Sequence, residues 1–383
     1  MKNDGSFALA VCGLVSLAVA IGVGRFAFTP LLPMMQKDNG LTLRAAGLLA
    51  SANYLGYFAG AMSAIWLRAS TASILRVSMP GVALLTVAMG LVHGLPAWAL
   101  LRFVAGVASA WVLIFASAYI LDQLNRRGKT AGGGIVFGGV GSGIAASGLL
   151  CLLFLALSWS ADRAWIALGL VALALSAWCL PFYRSATAAG SAPGGAALRL
   201  RDHATVIACY GIFGFGYIIP ATFLPAMARR LVADSAAFAW AWPIFGAAAL
   251  ASTLAAGRLA GRWPNRAVWA ASHAIMALGV VLPVLMSDMA GIAASSCLVG
   301  GTFMVATMTG MQEARLRAPE HAARLMAAMT AAFGIGQILG PLLVSLLAGR
   351  DGGTGAALAA SGALLLGSAA VLAGRGQAMQ GSR

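Results

Sequence analysis

Apolar runs of roughly 20 residues recur along the whole chain, which is the length an α-helix needs to cross a bilayer core of ~30 Å. Only short stretches carrying charge, proline or glycine break them. Such runs place the spans at 7–35, 44–67, 74–93, 97–121, 130–157 and 164–183, then at 203–228, 237–257, 267–287, 291–312, 325–348 and 355–373. In hydrocarbon the backbone must satisfy its own hydrogen bonds, so spans of this kind are helices. Charged residues make up 9% of the chain, against about 25% in an average soluble domain. That is too little polar surface for a water-soluble fold. The expected fold class is therefore an all-α integral membrane protein with twelve transmembrane helices. Residues 1–20 carry a signal-peptide-like pattern, with Lys2, an apolar stretch and then Ala18-Val19-Ala20. The run continues into a motif that recurs later, so it reads as the start of the first span.

Every connection is short except RSATAAGSAPGGAALRLRD, residues 184–202, which has the composition of a flexible linker. It divides the chain into an N-terminal six-helix bundle (1–183), a cytoplasmic linker (184–202) and a C-terminal six-helix bundle (203–383). With both termini in the cytoplasm, seventeen Lys and Arg fall on the cytoplasmic side and six on the other, while Arg25 and Arg102 lie inside spans. This bias sets the orientation and places the protein in the inner (plasma) membrane with both ends in. The net charge of +15 is thereby topological. The loops lack interleaved basic and aromatic residues, so no nucleic-acid partner is expected.

Two segments repeat. GVGRFAFTPLLPMMQ begins at Gly22 and GFGYIIPATFLPAMA at Gly214, an offset of 192 that aligns Gly24 with Gly216, Leu32 with Leu224, Pro33 with Pro225 and Met35 with Met227. Arg25 aligns with Tyr217. A weaker echo joins GGVGSG at Gly138 to FGIGQI, matching Gly139 to Gly334 and Gly141 to Gly336. Two halves of six helices each form a parallel repeat, because an even count per half leaves both pointing the same way.

Two six-span halves, a soluble linker and both ends inside resemble the major facilitator superfamily of secondary transporters. GVGRFAFTPLLPMMQ, GFGYIIPATFLPAMAR and GGTFMVATMTGMQEAR are similar to its YbfB/YjiJ-type branch. Arg102-Phe-Val-Ala-Gly106 resembles the family's Arg-x-x-x-Gly helix motif. GRLAGRWPNR, from Gly257 to Arg266, resembles its basic loop, with Gly261 where the family has an aspartate. The matching loop LRASTASILR is more degenerate, and the fifth span lacks the family's Gly-Pro pair. The resemblance implies alternating access of two bundles around a central cavity lined by the first and fourth spans.

Within that frame, two arginines carry the chemistry. A charge at the bilayer centre costs about 2.5–3.5 kcal/mol on insertion scales, so such residues face a cavity or a partner. At ~1.5 Å per residue, Arg25 lies ~25 Å up the first span and Arg102 ~7 Å down the fourth, which puts them at similar depth. No Asp or Glu lies well inside a span. Three readings stand: a clamp for an anionic substrate built by both guanidinium groups, structural roles for both, or one role each. In the second, Arg25 snorkels and Arg102 braces backbone carbonyls freed by helix breaks. Asn53, Tyr57, Tyr217 and Gln337 complete the candidate substrate-binding set, with Tyr54, Tyr210, Thr302, Thr307 and Thr309 as further polar or aromatic candidates. Pro30, Pro33, Pro220 and Pro225 each remove a helix hydrogen bond and are candidate kink and gating positions. Gly138, Gly141, Gly334 and Gly336 allow close helix approach and are candidate contacts between the bundles.

No cofactor or metal is expected. Cys12, Cys151, Cys179, Cys209 and Cys297 show no CxxC spacing and read as small buried hydrophobes. Paired acids, HExxH and GxSxG are lacking, which disfavours a membrane enzyme. A carboxylate proton relay is disfavoured too, and His273 is the lone histidine well within a span. The leading function is a secondary transporter of a small organic anion, acting as a monomer on a small-molecule substrate in a lipid bilayer. The alternatives are an exporter of amphipathic or drug-like compounds, and a non-transporting membrane sensor or accessory protein.

Overall fold

The structure, a computed structural model, describes residues 5–183, 198–231, 240–259, 261–286, 288–347 and 353–377. Residues 184–197 of the expected linker lie outside the described residues. Twelve long helices follow one another among the described residues: α1 (Ser6–Asn39), α2 (Leu43–Trp66), α3 (Thr71–Met89), α4 (Leu95–Arg126), α5 (Gly132–Ala156), α6 (Ala161–Cys179), α7 (Ala204–Leu231), α8 (Ala241–Arg258), α9 (Asn265–Leu285), α10 (Met289–Arg317), α11 (Ala322–Leu347) and α12 (Gly353–Gln377). Ten of them are long and apolar enough to cross a membrane; α2 and α8 fall outside that set.

Local signals set the helix ends. Gly40 ends α1 at φ 63°, a left-handed cap that costs glycine no steric penalty. The Thr42 hydroxyl accepts from the Ala45 amide at 3.2 Å to start α2, and Ser70, Ser160 and Asp288 cap α3, α6 and α10 in the same way. α4 and α10 extend about five residues past the expected 121 and 312. The extra turn of α10 brings Glu313 inside the helix, where it is buried and paired with Arg317 at 2.7 Å and Arg266 at 3.7 Å.

Packing follows the sequence repeat. α1 lies on α5, α2 on α4, α3 on both α4 and α6. Six helices later α7 lies on α11, α8 on α10, α9 on both α10 and α12. Between the first six helices and the last six, the extensive contacts are α5 with α8 and α2 with α11. At the end where α1 begins, an Arg315–Asp122 ion pair of 3.8 Å joins α10 to α4. There too Arg324 of α11 donates to the Ile65 carbonyl of α2 at 3.2 Å. The outer faces of α3, α5, α6, α9 and α12 expose large apolar side chains, among them Leu84, Leu149, Leu170, Leu278 and Leu364. Contiguous apolar faces of that extent belong against lipid. Cys297 is also exposed, unlike the other four cysteines; it was expected to be buried, but helix α10 turns it outward.

Glycine makes the α5–α8 contact. A Cβ on Gly141 would lie 2.5 Å from the Leu250 amide nitrogen and 2.7 Å from the Gly246 carbonyl oxygen. Gly138 faces Leu250 and Thr253 of α8, and Gly334 faces Phe58 of α2. Gly336 differs from its expected place: it packs on Gly211 and Phe215 of α7, within the last six helices. Neighbouring glycines of one helix point in different directions at 100° per residue, so Gly334 and Gly336 meet different partners. Gly141→Val should force α5 and α8 apart, since the opposing atoms are backbone. The expected loss is about 1–3 kcal/mol, read as a lower melting temperature in detergent. Gly301→Ala in α10, with open space around it, is the neutral control.

Candidate functional site

The site grows out of a defect in α1. Its first part, Ser6–Leu17, is α-helical; Ala18–Phe26 winds as a π-helix; Phe28–Asn39 returns to α-helix with Pro33 inside it. π-turns concentrate at functional positions because they displace backbone groups from the regular ladder. Past the π segment the ladder returns to α spacing, with the Ala27 amide on the Val23 carbonyl at 3.3 Å and the Leu31 amide on the Ala27 carbonyl at 3.2 Å. The Arg25 carbonyl accepts from Nη2 of Arg102 at 2.9 Å, while Nη1 of Arg102 donates to the Gly24 carbonyl at 2.9 Å. One turn down, the Ser109 hydroxyl of the same helix α4 donates to the Ala20 carbonyl at 2.7 Å. Asn53 of α2 in turn donates to the Arg102 carbonyl at 2.9 Å. Glycine lets this segment pack: a Cβ on Gly22 would meet the Gly143 backbone at 2.5 Å. α7, the repeat partner of α1, is α-helical throughout Ala204–Leu231. It carries Pro220 and Pro225, and the side chain of Pro225 lies outside the described residues.

The π-turn aims Arg25 at the last six helices. Arg25 is 5% exposed. The guanidinium carbon stands 4.1 Å from the Tyr57 ring centroid, 5.3 Å from Tyr54 and 5.5 Å from Phe26. Nη2 donates to Oε1 of Gln337 in α11, and Nε2 of Gln337 donates to the Tyr217 hydroxyl at 3.5 Å. Nε of Arg25 is buried and has no hydrogen-bond partner. Among the described residues no carboxylate pairs with Arg25 or Arg102. Two buried cations therefore stand uncompensated, in a medium where an isolated charge is costly.

Around Arg25 is a small cavity. Both sets of six helices line it, with Tyr57, Phe26 and Ile21 on one side and Tyr210, Tyr217, Phe303, Met304 and Phe333 on the other. Thr307 adds a hydroxyl, and among the described residues Arg25 is the one charged lining residue. The Tyr217 ring is stacked with Phe303 (centroids 4.9 Å apart, 12° between planes) and with Phe333 (5.7 Å, 17°). His273 lies behind this wall in α9. It accepts from the Trp269 indole at 2.9 Å and contacts the Ser368 hydroxyl at 3.0 Å, so both ring nitrogens are engaged away from the cavity.

Of the candidate residues, Arg25, Tyr57, Tyr217 and Gln337 come together at one point. Arg102 and Asn53 lie beside it, engaged with backbone carbonyls. Sequence reasoning missed Ser109, Phe26, Phe303 and Phe333. Phe26 and Phe303 sit inside stretches that already stood out, GVGRFAFTPLLPMMQ and GGTFMVATMTGMQEAR. An aromatic residue at helical spacing carries no mark separating a cavity wall from ordinary core.

Comparison with known proteins fits this geometry. Residues 17–373 match the family model described as "Uncharacterised MFS-type transporter YbfB". No curated protein sequence matches the chain significantly. Among solved structures, the human organic anion transporter MFSD10 (TETRAN) superposes with a TM-score of 0.72 at 13% identity, over 97% of this chain and 100% of that one. The transporter FucP in its outward conformation gives a TM-score of 0.71 at 15% identity, over 95% and 98%.

Proposed function

The chain belongs to the YbfB-type family of MFS transporters and is a secondary transporter, not an enzyme; on that premise we propose that its cargo is a small organic anion bound at Arg25. One observation carries this reading: a buried guanidinium with no carboxylate partner lines a cavity shared by both sets of helices. An anionic substrate supplies the missing charge, and the low dielectric around it makes that pairing strong. Arg102, with both terminal nitrogens on α1 carbonyls, adds positive field and holds the π-turn that aims Arg25. Its role is to position Arg25, and Arg25 makes the contact.

Transport proceeds by alternating access of two bundles, 1–183 and 203–383, tethered by 184–202. The α5–α8 and α2–α11 contacts are the surfaces on which the bundles rock, with Gly138, Gly141 and Gly334 at those seams. Pro30, Pro33, Pro220 and Pro225 soften α1 and α7 so that their ends bend over the cavity. The protein works as a monomer in the inner membrane with both termini cytoplasmic, without cofactor, metal or nucleic acid.

The test is solute counterflow in proteoliposomes with a panel of radiolabelled carboxylates. Saturable, carboxylate-specific exchange supports the reading; its absence across the panel defeats it. The aromatic and Met304 lining favours one rival, export of amphipathic compounds, which would proceed without regard to the charge at position 25. Flux of any solute separates both readings from a sensor. Tyr57 provides a finer check. Its ring lies under the cation, so Tyr57→Leu should weaken carboxylate binding about tenfold, whereas Tyr57→Phe keeps the ring and most of the affinity. Titration of the purified variants measures both.

A further inference from the structure

Resting on that reading of Arg25, we infer that the substrate is an aromatic acid bearing a single carboxylate, with its ring against the Tyr217–Phe303–Phe333 wall. Three features lead there. The first is the free edge of the guanidinium. Nε and Nη2 lie on one edge of an arginine and together accept both oxygens of a carboxylate. Here Nη2 donates to Gln337 Oε1, and Nε, buried, has no partner. An amide offers one oxygen where the edge holds two donors. A carboxylate fills both, so it displaces Gln337, which keeps its Tyr217 contact at 3.5 Å. The flat face of the guanidinium is already taken by Tyr57 at 4.1 Å, which leaves that edge as the docking side.

The second feature is charge count. Among the described residues Arg25 is the one charged group lining the cavity, and the nearby Arg102 has both terminal nitrogens bound to backbone. A second carboxylate on the ligand would face Phe303, Met304 and Phe333, where nothing offsets its loss of water. The third is surface. Half of the cavity's described lining residues are aromatic, namely Phe26, Tyr57, Tyr210, Tyr217, Phe303 and Phe333. That lining suits a ring. Tyr217, Phe303 and Phe333 already stack nearly parallel, at 12° and 17°, and a flat ligand ring continues the stack at the offset geometry aromatic pairs prefer.

The test titrates the purified full-length protein with five probes: benzoate, acetate, cyclohexanecarboxylate, terephthalate and benzyl alcohol. Benzoate should bind at least about tenfold more tightly than acetate, cyclohexanecarboxylate or terephthalate, and benzyl alcohol should not bind measurably. Phe303→Leu should bring benzoate down to the level of cyclohexanecarboxylate and leave acetate unchanged. Equal binding of acetate and benzoate, or of benzoate and terephthalate, overturns the inference. So does cyclohexanecarboxylate matching benzoate. The wild-type panel decides this even if Phe303→Leu fails to fold. Arg25→Gln keeps the two levels apart. If acetate and benzoate bind alike and both need Arg25, the organic-anion reading stands and the aromatic inference falls. If benzoate binding survives Arg25→Gln, the anion reading itself falls.

Discussion

Replacing Arg25 with glutamine should abolish carboxylate uptake into proteoliposomes and weaken carboxylate binding at least about a hundredfold, while the protein melts no lower than wild type. The reasoning rests on the sign of two effects. For function, the substitution removes the one charge that the described residues bring to the cavity, and a shorter, neutral amide cannot pair with an anion. For stability, wild-type Arg25 is 5% exposed, pairs with no carboxylate among the described residues and leaves Nε unpartnered. Holding such a cation out of water is a cost the folded state bears, and glutamine relieves it. Loss of uptake with equal or higher melting temperature is thus the signature of a binding residue. A lower melting temperature with uptake retained would reverse the assignment and make Arg25 a structural brace.

Arg102→Leu should show the opposite pattern, a loss of folded protein. The leucine leaves the Gly24 and Arg25 carbonyls without the donors that now reach them at 2.9 Å. Each buried acceptor left unsatisfied costs about 1–3 kcal/mol, so the pair is worth about 2–6 kcal/mol, a large share of the stability of any fold. A marked drop in detergent melting temperature and in monodisperse yield is the expected result. The cause can be tested by a milder substitution. Arg102→Lys keeps one cationic donor for the two carbonyls and should therefore lose less stability than Arg102→Leu. Equal loss in the two variants would mean that the carbonyl contacts do not carry the effect.

The opposing predictions for two arginines in adjoining helices show where sequence reasoning stops. Both were recognisable as intramembrane cations lacking an acidic partner, and depth counting placed them together. The asymmetry of the repeat pointed to Arg25 for the substrate, but a shared clamp, structural roles for both and a split between them all stood open. Deciding between them takes the π-turn of Ala18–Phe26, which depends on α4 packing against α1 and is invisible to a propensity argument. The repeat predicts that α1 and α7 resemble one another. They do in their packing, α1 on α5 and α7 on α11; the π-helix is assigned in α1 alone. The two carry different demands: α1 accommodates Arg102 and Ser109 on its carbonyls, whereas α7 presents Tyr210, Phe213 and Tyr217 as a ring surface. Gly141 and Gly336 teach the same point. They align in the repeat, yet one meets α8 and the other α7, because a glycine's partner is set by helix rotation and not by helix identity.

The sequence by itself determined that this chain is an all-helical membrane protein, that it repeats at an offset of 192 residues, and that two cations lie in its apolar spans without acids to match. Those are properties of hydropathy, period and charge count, and each is local or additive along the chain. The tertiary structure alone decided which guanidinium is spent on backbone and which faces the cavity. It also decided that Gln337, 312 residues away, meets Arg25, and that Phe303 and Phe333 form a wall beside it. Each of those facts depends on the rotation of one helix about its axis relative to another. With side chains 100° apart, a shift of a single residue exchanges a lipid contact for a cavity contact. That rotation is settled by the packing of all the helices together.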